Sequence, residues 1–164
     1  MLKIFNTQLN GIFKKIDAQE VELDIASRLL AQAVVGEGNI WVKGFGDLKY
    51  LEEYIVNSNE SLPDSKVWIT DTVVDKTDRV IVMAETYNED VVEFVTALEV
   101  SDIDYVLICN AHENIQSMNF IDLSTPRAIV PSEDFSRIIT PHAMAMNYIY
   151  YVIYANMKEM LDEA

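Results

Sequence analysis

A chain of 164 residues, half of them hydrophobic, is long enough to bury roughly two thirds of its unfolded surface in one core. It has no run of about 18 apolar residues such as a membrane span needs, and Met1 to Ile16 alternates polar and apolar residues, so neither a span nor a secretory leader is expected and the address is cytoplasmic. Twelve basic against 27 acidic side chains give a net charge of −15, which disfavours nucleic acid and anionic membranes as partners; one cysteine and two histidines argue against an internal disulfide and a structural zinc site.

Ile4, Phe5, Leu9, Ile12, Phe13 and Ile16 recur at helical spacing opposite Lys3, Asn6, Asn10, Lys14 and Lys15, which predicts an amphipathic helix. Gly11 weakens it by about 1 kcal/mol relative to alanine. Asp17 followed by Glu20 has the form of a capping box, and a second helix runs through Ile25, Leu29, Leu30 and Ala33 to a stop at Gly36. A first strand, Asn39 to Lys43, ends in Gly44-Phe45-Gly46, and the helix that Asp47 opens carries Leu48, Leu51 and Ile55 on its buried face. Strand two, Lys66 to Thr70, follows a loop marked by Pro63 and Asp64. Strand three, Arg79 to Met83, has the continuous apolar run of a strand covered on both faces. A helix from Asn88 to Val100 turns Val91, Val95 and Leu98 inward, and strand four is Tyr105 to Cys109. After an irregular stretch from Asn110 to Arg127, a final strand near Ala128 to Val130 closes the sheet. This alternation predicts a three-layer α/β/α fold with a mostly parallel sheet, preceded by two N-terminal helices.

Two further helix starts are expected, at Pro131-Ser132-Glu133-Asp134 and at Thr140-Pro141, the latter with threonine as cap and proline in the first turn. From Ala143 on, Met146, Tyr150, Ile153, Met157 and Met160 fall three and four apart, and Tyr148, Tyr151 and Val152 make other sides apolar. Such a helix is buried, and a second copy of the chain, meeting it through the first and last helices, is the expected cover. The organisation expected is one domain over 1–164, with a helical hairpin (1–35), a sheet core (36–131) and a C-terminal helical block (132–164).

Ligands of open α/β sheets bind beyond the carboxyl ends of the strands, so Gly44-Phe45-Gly46 and the loop Glu85-Thr86-Tyr87-Asn88 form the expected rim. A dinucleotide turn would need a third glycine where Lys49 stands, and a flavin phosphate loop would need hydroxyls that Gly44 to Asp47 lack. Glu89 and Asp90 occupy the first turn of the helix after strand three and already use its dipole. A phosphate about 4 Å from a carboxylate is repelled by about 4 kcal/mol at an effective dielectric constant near 20, so phosphate binding is disfavoured there unless Lys43, Lys49 or a partner chain intervenes. Cys109 is expected to be an inert, buried thiol.

Two leading helices, a glycine-flanked first strand, Asp78-Arg79-Val80-Ile81-Val82 leading to a helix, and Arg137-Ile138-Ile139-Thr140-Pro141-His142 entering the last helix resemble the sugar isomerase (SIS) domain in order and spacing, and within it the phosphoheptose isomerases. The similarity runs from about Leu23 onward, while Met1-Leu2-Lys3-Ile4-Phe5 and Gly44-Phe45-Gly46 look like an uncharacterised bacterial branch of that superfamily. The resemblance implies a flavodoxin-like, five-stranded parallel sheet, dimers or tetramers, and a phosphosugar site at the strands' carboxyl ends. Where the pattern has phosphate-binding hydroxyls, this chain has Leu48 in the first turn, and of Ala84 to Glu89 only Thr86 keeps one. The catalytic positions of the pattern fall on Tyr54, Ser58, Ile139 and Asn147, and His142 matches another histidine of the late motif.

The expected ligand site is therefore Gly44, Phe45, Gly46, Glu85, Thr86, Tyr87 and Asn88, with Glu85 and His142 as the candidate base and acid. No metal or cofactor is expected. The ligand is a sugar-derived or other small polar molecule, a sugar phosphate among them; the alternatives are an isomerase with a changed residue set and a ligand-free dimeric assembly protein.

Overall fold

The computed structural model describes residues 1–163. Helices α1 (Leu2–Asp17) and α2 (Glu20–Val35) lead into β1 (Ile40–Gly44), a 3-10 turn (Gly46–Tyr50), α3 (Leu51–Asn57) and β2 (Ser65–Val67). There follow β3 (Arg79–Met83), α4 (Glu89–Val100), β4 (Tyr105–Cys109), β5 (Phe120–Asp122), a hairpin of β6 (Val130–Pro131) and β7 (Arg137–Ile138), and α5 (His142–Asp162). The five-stranded sheet has the order β2-β1-β3-β4-β5 with every neighbouring pair parallel. No helix among the described residues is long and apolar enough to cross a membrane.

Strand alternation divides the core. Ile40, Val42, Ile81, Met83, Val106 and Ile108 face a cluster built by α1, α2, α3 and α5. Trp41, Val80, Val82, Tyr105 and Leu107 face α4. The second cover is thinner, because β2 reaches β3 through a loop without a helix; Trp68 of that loop meets Phe94 of α4 edge to face at 4.9 Å and Trp41 at 6.3 Å. Leu48, Leu51 and Ile55 are buried as the spacing predicts, and so are Val91, Val95 and Leu98 on α4 and Met146, Tyr150, Ile153 and Met157 on α5.

Several expectations are corrected. The capping box at Asp17 does not form: Gln19 precedes α2 without a side-chain cap, and the Asp17 carboxylate accepts the Tyr148 hydroxyl of α5 instead. The Gln19 amide is also engaged, donating to the Asp122 carbonyl at 2.8 Å and accepting its N–H at 2.7 Å. The helix expected from Asp47 starts as a 3-10 turn and becomes α-helical only at Leu51. Strand two is shorter than Lys66 to Thr70, because Trp68 turns into the aromatic cluster and Asp71 takes a φ of 70°. The edge strand of the sheet is Phe120–Asp122, within the stretch expected to be irregular. Val130–Pro131 leaves the sheet and pairs antiparallel with Arg137–Ile138. No helix starts at Pro131: Ser132 and Phe135 close a turn, the Asp134 carboxylate accepts from Ser136, and Phe135 sits fully exposed at a φ of 67°. The C-terminal block thus holds one unbroken 21-residue helix.

Candidate functional site

The first turn is shaped by two glycines. A Cβ on Gly44 would lie 2.7 Å from the Lys49 Cα and 2.8 Å from the Leu48 carbonyl oxygen, so the 3-10 turn packs directly on the strand end. Gly46 has a φ of +56°, a conformation glycine adopts without the Cβ penalty. The Gly44 N–H points inward and donates to Oε2 of the buried Glu52 at 2.8 Å. Lys49 lies 3.4 Å from the other oxygen of Glu52.

Glu85 follows β3, where the parallel strands end beside this turn. Its Oε1 lies 3.9 Å from the position a Gly46 Cβ would take, and its Oε2 lies 3.5 Å from Nε2 of His142, the first residue of α5. Gly46, Glu85 and His142, drawn from three separate elements, therefore converge. Both side chains are partly buried.

Behind the pair stands a polar strut. Asn110, immediately after β4, accepts the Thr125 N–H at 2.7 Å and donates to the carbonyls of Glu85 at 2.8 Å and Thr125 at 3.0 Å. These partners fix the orientation of its amide. Asn110 Nδ2 also reaches Thr125 Oγ1 at 3.3 Å, and that hydroxyl lies 2.7 Å from Nδ1 of His142. Where that hydroxyl donates to Nδ1, the neutral imidazole carries its proton on Nε2, facing Glu85. In that tautomer the pair is a carboxylate acceptor beside an N–H donor, an arrangement suited to proton transfer or hydroxyl recognition. Asn110, Thr125 and Glu52 were missed by sequence reasoning. A polar residue directly after an all-apolar strand was the available signal for Asn110; nothing in the sequence sets Glu52 apart from the other acids.

The other expected site residues lie apart from this pair. The Phe45 ring packs against Phe94 of α4 at 5.7 Å, with the Lys43 ammonium 4.8 Å above it, on the face opposite α5. Asn88 caps α4 by accepting the Val91 N–H at 3.1 Å. Thr86 is exposed. Tyr87 lies 6.0 Å from His112, and both line a groove of about 630 Å³ shared with Asn88, Glu89, Val92, Glu93 and Asn114. Burial pushes the Tyr87 phenol up, and the charge of Glu99 adds to it. Of the positions matching the isomerase pattern, Tyr54 bonds Tyr151 at 3.0 Å between their hydroxyls, Ser58 accepts the Glu60 N–H, and Ile139 holds a φ of 65°. Asn147 lies against Tyr50, whose phenol is pushed up by burial while the Asn147 hydrogen bond pulls it back. Among the described residues, no three His, Cys, Asp or Glu side chains gather as a metal site.

Residues 1–161 match the family described as "Domain of unknown function (DUF2529)". The chain belongs to this family. Protein YwjG of Bacillus subtilis (strain 168) is 30% identical over 171 residues, covering 99% of each chain. A crystal structure from Bacteroides fragilis NCTC 9343, described as a "putative phosphosugar isomerase involved in capsule formation", superposes with a TM-score of 0.73 at 12% identity, over 99% of this chain and 92% of that one. At that identity the likeness is one of fold: the DUF2529 chain has the SIS-like three-layer architecture.

Proposed function

We propose that this protein binds a small polyhydroxylated, sugar-derived ligand at the carboxyl ends of its strands, around Gly46, Glu85 and His142. The observation that carries the reading is the Glu85–His142 pair, held at 3.5 Å by elements far apart in the chain and braced by Asn110 and Thr125. A sugar hydroxyl both donates and accepts, and the pair offers one complement of each kind. The name printed for the Bacteroides structure is consistent with the same ligand class. In a thermal-shift panel of sugars, sugar phosphates and nucleotides, a ligand at about 100 times its Kd adds about 2.7 kcal/mol, or about 5–10 °C. His142→Ala abolishes that shift. No shift with any compound would favour the ligand-free assembly reading.

The 3.5 Å Glu85–His142 geometry supports a second reading, aldose–ketose isomerisation with Glu85 as base and His142, in its Nε2–H tautomer, as acid. Turnover of a sugar lost in both Glu85→Gln and His142→Ala supports it, and a bound sugar that never turns over rejects it. Self-association through α1 and α5 is supported by Leu2 and Ile4 on α1 and by Met144 and Tyr151 on α5, all exposed. Sedimentation equilibrium showing only monomer at micromolar concentration would remove that proposal.

A further inference from the structure

We infer that the rim takes an uncharged sugar or polyol and rejects its phosphate ester, because the chain supplies its own anions to the first turn. This rests on the ligand site proposed above. In a glycine turn that cradles phosphate, the backbone amides point at the ligand. Here the Gly44 N–H is taken by the buried Glu52 carboxylate, to which it donates at 2.8 Å. From the rim side, Glu85 Oε1 lies 3.9 Å from the Gly46 Cβ position. One short turn is thus bracketed by two carboxylates, one below it and one against it.

The two lysines nearest in sequence are already engaged. Lys49 pairs with Glu52 at 3.4 Å, and Lys43 lies over the rings of Phe45 and Phe94 at 4.8 and 5.8 Å, on the opposite face of the sheet. At the start of α4, Asn88 takes the Val91 amide, and Glu89 and Asp90 fill the first turn. A phosphate group at the rim would bring its charge against Glu85, while at α4 the amide and dipole that could draw it are already used by Asn88, Glu89 and Asp90. An uncharged hydroxyl meets none of this repulsion: it donates to Glu85 and, in the Nε2–H tautomer, accepts from His142, and a vicinal diol spans the two. Glu52 and Glu85 are in this reading the residues that set specificity, Glu52 by consuming the amide and Glu85 by occupying the slot.

The test offers matched pairs to the intact protein by titration calorimetry: glucose with glucose 6-phosphate, fructose with fructose 6-phosphate, and sedoheptulose with sedoheptulose 7-phosphate. Inorganic phosphate alone is a further probe. The expected result is a free sugar that binds about tenfold or more tighter than its phosphate, no binding of inorganic phosphate, and a narrower gap in Glu85→Gln and Glu52→Gln. Far-UV circular dichroism checks the buried variant; if Glu52→Gln does not fold, the half-exposed Glu85→Gln decides. A phosphate ester binding as tightly as its free sugar, or tighter, overturns the inference and spares the ligand site. A preference unchanged in the folded variants removes its assignment to these carboxylates. Failure of every member of every pair to bind overturns the sugar site itself.

Discussion

Replacing Asn110 by aspartate changes one NH2 group for an oxygen and tests whether the strut holds the site together. The aspartate keeps the acceptor for the Thr125 N–H, but its second oxygen stands where Nδ2 now donates to the Glu85 and Thr125 carbonyls at 2.8 and 3.0 Å. Two hydrogen bonds of about 1 kcal/mol each are lost, and two carbonyls left facing a carboxylate in a buried site add about 1–3 kcal/mol. The expected cost is about 3–5 kcal/mol at neutral pH. Urea unfolding followed by the fluorescence of Trp41 and Trp68 measures it. The deficit should shrink on acidification: facing carbonyl oxygens in a buried site, the new carboxyl has its folded-state pKa raised. Protonation then restores one donor, so stability relative to the parent recovers as pH falls through that raised value. A loss below about 1 kcal/mol at pH 7, or a deficit that grows on acidification, would refute the strut.

Asp78 gives a pH dependence of the opposite sign. Burial pushes its carboxyl up, but the N–H of Asp75, the Trp41 indole and the Asn39 N–H donate to it and hold it below the usual carboxylate value. A folded-state pKa below the unfolded value of about 3.9 means that its stabilisation is present above that value and lost as pH falls through the lower one. Asp78→Asn should cost about 2–3 kcal/mol at pH 7 and far less at pH 3, so its urea midpoint varies less with pH than the parent's; an equal acid sensitivity would contradict the assignment. Cys109 is fully buried, and burial, helped by the charge of Asp122, pushes its thiol up to about 12. A disulfide reagent at pH 8 should label it only as fast as the protein opens, and immediate labelling of the native protein would disprove its seclusion.

Most of the sheet was legible because β3 and β4 are continuous apolar runs, and both lie where their residues predict. β5 was not, since it has only one fully buried residue, Ile121, with Leu123 just beyond its end, inside a polar stretch. Pro131-Ser132-Glu133-Asp134 reads equally as a helix start or a turn, and the left-handed Phe135 that decides between them leaves no mark in composition. Asp17 and Glu20 have capping-box spacing, but a tyrosine on α5 claims the aspartate. The same holds at the site. Glu85 and His142 were visible because each stands at the end of a recognisable element. Asn110, Thr125 and Glu52 act through partners chosen by the tertiary fold: a threonine beyond the next strand, a histidine ring, and the backbone amide at the end of β1.

The Gln19 amide makes with Asp122 the two hydrogen bonds that a neighbouring strand would otherwise make. A single side chain thereby imitates the next strand and ends the ladder at β5, where a free donor and acceptor would invite another chain to add on. Because Gln19 lies in the turn between α1 and α2, the same two bonds tie the helical hairpin to the far edge of the sheet. The edge is protected only while that hairpin is docked, so a fluctuation that lifts the N-terminal helices also reopens the sheet to intermolecular pairing.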